Sequence, residues 1–408
     1  MNLPLLLIQM IIVSITIYCG SVILITFFVN KDKMFIDPKP KRYPSVTIAI
    51  PAYNEEKSIR RCIEHVLKLD YPKKIEVIVI NDGSTDKTEK IIKSFGNKIK
   101  FINRKENSGI KSIPLNMALK KSKGEIFGFV DAETFIESHS LKKLIGYFND
   151  PKVGSVLPAM KVYNPKNLLE RIQRIEYFMS VIFARKIMTF LNSLYMVPGC
   201  GFFRSDILKR TGGFDENNLS EDLEIGLRIH NAGYKIENSI NALAYTVVPN
   251  NLRSLTKQRI RWFRGLIKNL RKYKFLIFEK TDFGLFMVPV AIIGGTISIV
   301  LYFLLLLMFL FDTSRIMMNF LNGFFMSGFD LSLLIPDMVI YPNIIMFLFV
   351  LFTFIFAINV FLSGKLSKEN IFASMFDILL FMFIYTPLVG VWWMLSIIQE
   401  IIGAERTW

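Results

Sequence analysis

Cysteine and histidine are scarce: the 408 residues hold three of each. Cys19, Cys62 and Cys200 stand far apart, so they offer neither a disulfide framework nor a zinc spacing. His65, His139 and His230 complete no ligand motif, and structural or surface roles are expected for them. Acidic residues run short against basic ones, 34 against 50, leaving a formal net charge of +16. No internal repeat and no low-complexity tract occurs. No recognised nucleic-acid motif accompanies the positive charge. The basic residues cluster at the flanks of apolar runs, so nucleic acid is not the expected partner.

Apolar residues, by contrast, are abundant. They make up 52% of the chain, and mean hydropathy is +0.38. Membrane segments are therefore expected. A basic, hydrophobic chain suits a membrane protein facing the cytoplasm and handling anions such as lipid headgroups or phosphates.

Residues 4–29 carry no charge. A run of about 20 apolar residues spans a bilayer. No basic residue precedes this one, unlike a cleaved signal peptide, so an uncleaved membrane helix is expected. The basic flank KDKMFIDPKPKR places its C-terminal end in the cytoplasm. Further apolar runs cover 284–311, 341–362 and 370–403. Between them, 312–340 carries Asp312, Arg315, Asp330 and Asp337, a net −2, and reads as the outer side. The loop SGKLSKE, with Lys365 and Lys368 against Glu369, reads as the inner side. Thr386-Pro387 either kinks one long last span or divides a span from an amphipathic surface helix. The expected layout is an N-terminal membrane helix (1–30), a cytoplasmic domain (31–250), an amphipathic interface helix (251–282) and a C-terminal membrane region (283–408) of three or four segments. The expected location is the cell membrane, with several passes.

The stretch 45–250 has a different texture. VTIAIP (46–51) reads as a buried strand, and IEVIVIN (75–81), IKFINR (99–104) and EIFGFVD (125–131) read as strands. Helical patterns alternate with them. This order predicts an α/β fold, a doubly wound and mostly parallel sheet. Ligands in such sheets bind beyond the carboxyl ends of the strands. Four stretches stand at such ends or near them: PAYNEE (51–56), NDGS (81–84), DAE (131–133) and SED (220–222).

Two carboxylates one residue apart, as in DAE, point to the same side of an extended chain. Mg2+ and Mn2+ favour one or two such carboxylates together with substrate phosphates. The bland alternative is an acidic turn before a helix, capped by Glu133 or Thr134. NDGS alone is a turn signal, and PAYNEE alone a strand exit with an Asn cap. SED alone is an N-cap with an acidic first turn. In QRIRW (258–262), Gln258, Arg261 and Trp262 share one helical face at i, i+3, i+4, while Arg259 faces elsewhere, toward lipid phosphates. A guanidinium fork suits phosphate oxygens, and an indole offers a flat apolar face. The basic run around it also reads as a membrane-surface helix.

Taken in order, these five motifs and the flanking apolar runs resemble the membrane-embedded family 2 glycosyltransferases, the group of hyaluronan, cellulose and poly-N-acetylglucosamine synthases. DAE stands where D-x-D is usual, SED for T-E-D and QRIRW for Q-x-x-R-W. The resemblance implies a GT-A-like domain and an inverting, single-displacement sugar transfer that uses Mn2+ or Mg2+. It implies that Ala52, Tyr53, Glu55 and Asp82 hold the base and ribose of a nucleotide sugar, and that Lys111 reaches its diphosphate. Asp131 would lie at the ribose and diphosphate, with Asp131 and Glu133 on the metal. Asp222 would be the general base. Gln258, Arg261 and Trp262 would close over diphosphate and acceptor, with Gly199 and Gly201 of PGCGFFR beside the acceptor. Asn81 stands where the family has Asp. It either supports the turn or reads the donor. Cys200 is expected to be a buried structural thiol.

The leading expectation is extension of a polysaccharide from a UDP-sugar, with or without coupled translocation. The rivals are single addition to a lipid or polyprenyl-phosphate acceptor, and a non-catalytic scaffold that binds polymer or lipid. The scaffold would be expected to lack the carboxylates that Asp82, Asp131 and Asp222 supply.

Overall fold

The computed structural model describes residues 3–218, 220–277, 344–370 and 374–403, with positions 314, 317, 318 and 321. The run 284–311, most of the acidic segment 312–340 and Trp408 lie outside the described residues.

Eight strands form one sheet: β1 (Val46–Ala52), β2 (Glu76–Asp82), β3 (Lys100–Arg104), β4 (Ile126–Val130), β5 (Thr134–Ile136), β6 (Val153–Val162), β7 (Cys200–Arg204) and β8 (Lys235–Thr246), in the order β3-β2-β1-β4-β7-β6-β8-β5. The first four are parallel neighbours, because helical crossovers join them. All seven residues of β1 are buried, as a strand covered on both faces requires. Alternation assigns them to the two layers. Ile48 and Ile50 pack with Ile59, Cys62 and Ile63 of α2 (Ile59–Leu67). Ala49, with Ile78 and Ile80 of β2, packs with Leu115, Ala118 and Leu119 of α4 (Ser112–Lys121). Helix α1 (Leu3–Asn30) precedes the sheet, and α3 (Thr88–Lys93) follows β2.

The second half departs from the parallel expectation. β7 is antiparallel to β4 and β6, and β5 is antiparallel to β8, while β6 and β8 are parallel. The sheet is mixed, because the βαβ pattern stops at β4 and β7 re-enters between β4 and β6. PGCGFFR, whose glycines are expected beside the acceptor, supplies this central strand. Gly128 on β4 faces Phe202 on β7; an added Cβ would meet the ring at 2.6 Å, so the glycine leaves the space that the ring fills.

Between the strands lie α5 (Ser140–Ile145), α6 (Leu168–Glu176), a π-helical segment Tyr177–Ala184, α7 (Arg185–Phe190), α8 (Ser205–Arg210) and α9 (Glu221–Asn231). After β8 come α10 (Leu252–Lys272), α11 (Ile344–Ser367) and α12 (Met375–Ile401). Among the described residues, α12 is the one helix found long and apolar enough to cross a membrane: it has 27 residues, and mean hydropathy reaches 2.0 within it. Thr386-Pro387 does not divide it. A π-helical turn, Phe381–Tyr385, precedes the proline, and the chain runs on as one helix.

Helix α10 lies along α12. Trp392 donates to Thr256 Oγ1 at 3.0 Å, Arg264 pairs with Glu400 at 2.7 Å, and Phe263 stacks on Trp393 at 4.6 Å. Its other side meets the turn before α9. A Cβ on Gly265 would strike Ser220 Oγ at 1.7 Å, so only glycine permits that approach.

Candidate active site

The carboxyl ends of β1, β2 and β4 open on a cleft of about 250 Å3. β1 and β4 are neighbours whose connections leave in opposite directions, so the cleft sits at the switch point of the sheet. Ala52, Tyr53, Glu55, Asp82, Lys111, Asp131 and Glu133 all line it. Two larger grooves, about 850 and 1270 Å3, are lined from Lys41 to Lys209 and from Arg60 to Lys98 and hold none of the candidate site residues.

Two turns are fastened together to form one wall. Asn54, at φ +54°, accepts from Thr85 N–H at 2.8 Å, and its own N–H donates to Ser84 Oγ at 3.0 Å. Gly83 has φ +72°, and a Cβ there would lie 2.3 Å from Asn107 N. Asn81 is fully buried, donates to Asn103 at 2.7 Å and accepts from Ser84 N–H at 3.3 Å. It supports the turn and does not line the cleft. Asp82 lines the wall, but its carboxylate is held by Arg104 at 2.7 Å and by Ser108 Oγ at 2.5 Å. Tyr53, 47% exposed, stands at the mouth.

DAE is a turn leading into β5, so no helix starts there. Thr134 N–H donates to Asp131 O, and Asp131 N–H donates to Gly199 O, both at 2.8 Å. Lys111 ion-pairs with Asp131, and at 3.2 Å with Glu221, the neighbour of Asp222. Both carboxylates keep Lys111 charged, pushing it above its ordinary value despite desolvation. Desolvation, then Glu55 and Asp131, push Glu133 up to about 8. Desolvation also raises Asp131 and Glu55.

These carboxylates suit a divalent cation. Among the described residues no three acidic, histidine or cysteine side chains converge closely enough to hold an ion alone. Their oxygen chemistry and mutual repulsion match a hard cation that takes its remaining ligands from water and phosphate. Asp131 and Glu133 would hold it.

Asp222 is the second residue of α9. Leu223 N–H donates to its Oδ1 at 2.9 Å, and its carbonyl accepts from Val197 N–H at 2.9 Å. Burial, then the adjacent Glu221, raise it from 3.8 to about 6. Ser220 holds the cap position but makes no side-chain cap bond.

In QRIRW, Arg261 exerts its positive charge on Asp131, Glu133 and Asp222. Arg259 does not face lipid phosphates. It is 1% exposed, pairs with Glu176 at 2.5 Å, donates to Tyr385 Oη at 3.0 Å and lies 4.2 Å over the Trp262 ring. Gln258 accepts from Arg259 at 3.2 Å and is thus part of its cage. Neither Gly199 nor Gly201 lines the cleft. A Cβ at Gly199, φ +70°, would meet Met160 at 2.5 Å, and one at Gly201 would meet Val197 at 2.1 Å, so packing accounts for both glycines. Burial raises the Cys200 and Cys62 thiols far above their ordinary value, as suits inert structural cysteines.

Residues 47–212 match the family described as Glycosyl transferase family 2. The chain carries a family 2 glycosyltransferase domain. "Probable glycosyltransferase YdaM" of Bacillus subtilis (strain 168) is 33% identical over 259 residues, 60% of this chain and 62% of that protein. A poly-beta-1,6-N-acetyl-D-glucosamine synthase of Staphylococcus epidermidis is 30% identical over 250 residues, 59% of this chain and 60% of the relative. The glycosyltransferase match thus spans about three fifths of these relatives' length. A mannosyltransferase of Pyrobaculum calidifontis, solved with GDP-Man and Mn2+, shares the fold at TM-score 0.61 and 17% identity, covering 98% of this chain and all of that one. The fold is GT-A-like with a mixed sheet.

Proposed function

We propose that the protein is an inverting, divalent-metal-dependent membrane glycosyltransferase that moves a sugar from a UDP-sugar onto a growing polysaccharide. The reading rests on Lys111, which bridges the donor-side carboxylate Asp131 and the Glu221–Asp222 turn. One cation thereby joins the two halves that a displacement needs. The cleft takes the nucleotide, with Tyr53 at the base and Glu55 at the ribose. Asp222 faces the acceptor. Its raised value still leaves it mostly ionised at neutral pH, as a general base must be.

The acceptor hydroxyl gives its proton to Asp222 as its oxygen bonds to the anomeric carbon. The carbon–oxygen bond to the diphosphate breaks on the opposite face, and the configuration inverts. Lys111 and Arg261 oppose the charge that builds on the leaving group. A bound Mn2+ or Mg2+ would supply further charge neutralisation there. Helix α12, with the apolar runs 4–29, 284–311 and 341–362 of the sequence and the basic flank after the first of them, supports a multi-pass arrangement with the domain in the cytoplasm.

The test is the full chain in lipid nanodiscs with Mn2+ or Mg2+ and a panel of nucleotide sugars. Nucleoside diphosphate release with a ladder of long products is expected. A single addition to lipid would replace the polysaccharide reading with the lipid-acceptor one. Trp262→Ala is expected to raise the acceptor KM about tenfold, the worth of one lost stacking contact, with donor affinity unchanged. An equal loss of donor affinity, read by UDP displacement, would refute acceptor stacking.

A further inference from the structure

Arg185 opens α7, directly after the π-helical segment, and is 8% exposed. Among the described residues its guanidinium has one polar contact, the Met196 sulfur at 3.7 Å, and no carboxylate in ion-pair range. The other buried arginine, Arg259, is paired with Glu176. A buried guanidinium without an anion is costly, so its charge and unspent donors call for a ligand.

Its place says which ligand. Met196 precedes Val197, whose N–H is bonded to the Asp222 carbonyl. A Cβ on Gly226 of α9 would strike Tyr195 O at 2.1 Å, so this loop is pressed onto the helix that carries Asp222. The titratable groups that act on Arg185 are Asp222 and the phenols of Tyr177 and Tyr195, which burial keeps un-ionised. Both tyrosines are more than nine-tenths buried, and neither hydroxyl makes a hydrogen bond among the described residues.

We propose that Arg185, with the hydroxyls of Tyr177 and Tyr195, forms an anion subsite on the acceptor side of Asp222, for a carboxylate or phosphate carried by the acceptor. The subsite deepens the glycosyl-transfer reading and rests on it. The shared chemistry is an anionic oxygen group, and it has two sources: a uronic acid within a sugar chain, or the phosphate of a polyprenyl carrier. π-Helical segments are frequent at functional sites, and this one presents Tyr177 and leads into Arg185.

Binding to the full chain in nanodiscs tests this without turnover. The probes are a glucuronate-terminated oligosaccharide, a polyprenyl monophosphate and a neutral oligosaccharide of equal length. One anionic probe is expected to bind wild type, to bind Arg185→Gln about tenfold to a hundredfold more weakly, as for a lost charged hydrogen bond, and to be partly rescued by Arg185→Lys. Neutral-probe binding and UDP affinity should stay unchanged, and the probe that responds identifies the source. Binding of neither anion to wild type, or equal loss for anionic and neutral probes, would overturn the subsite. If Arg185→Gln does not fold, Tyr195→Phe with the wild-type comparison carries the same decision. Failure of the wider reading looks different: no UDP release from any donor, whatever the anion does.

Discussion

Asp222→Asn is expected to lower turnover by about 100- to 10,000-fold, the range for a lost general base, while UDP affinity stays near wild type. The amide keeps the size and the bond from Leu223 N–H. It cannot accept the acceptor's proton. Wild-type kcat/KM should fall as pH drops through about 6, because burial and Glu221 hold Asp222 at that value. The sign follows from the raised value: protonation comes early, and the protonated form is idle. Stability runs the other way. A carboxyl raised in the fold contributes most below its ordinary 3.8, and that contribution is lost as pH rises through about 6. Asparagine has no charge to desolvate, so the unfolding temperature at pH 7.5 should not fall. Turnover within a few-fold of wild type would remove Asp222 from the mechanism; a lowered unfolding temperature would mean that the loss is structural.

The half of the fold that positions the cleft was legible because its signals are local. β1, β2 and β4 are apolar runs that meet Asn or Asp at their ends or within two residues of them, and β1 (Val46–Ala52) falls within one residue of its expected span. Covered parallel strands must be apolar on both faces, and the turns that leave them need residues tolerant of positive φ, such as Asn54 and Gly83. The later strands were not legible. β7 lies between β4 and β6, and its place depends on Gly128 yielding to Phe202, a contact between residues far apart in the sequence. Helical spacing put Gln258, Arg261 and Trp262 on one face and sent Arg259 outward, whereas Arg259 is buried between Glu176 and Tyr385 and touches both Gln258 and the Trp262 ring. Its burial depends on Glu176 and Tyr385, separated from it by 83 and 126 positions. No local pattern carries that information. Nor did any local pattern single out Gly265, whose missing side chain lets α10 reach Ser220.

Arg259→Met is expected to destabilise the protein by about 3 kcal/mol, the scale for breaking a buried ion pair from one side, and to lower turnover with little change in donor affinity. Arg259 joins three elements that sequence keeps apart. Glu176 ends α6, Tyr385 lies in the π-helical turn of α12, and the guanidinium covers the Trp262 ring. Tyr385 also donates to Glu176 at 2.7 Å, so the three polar groups form a closed triangle. Methionine fills much of the volume but leaves Glu176 facing Tyr385 alone and removes the cation from the indole face. Trp262 then loses its backing, and α10 loses one of its ties to α12. Glu176→Gln alone should cost less, because an amide still accepts from Arg259. The double variant should be less damaged than the two single losses added, since the charge left unpaired in the first is absent in the second. Unfolding in nanodiscs for the four proteins gives the coupling directly. Strict additivity would mean that Arg259 and Glu176 do not depend on each other. A donor affinity lost in parallel with stability would mean that the triangle holds up the whole domain and not the Trp262 face in particular.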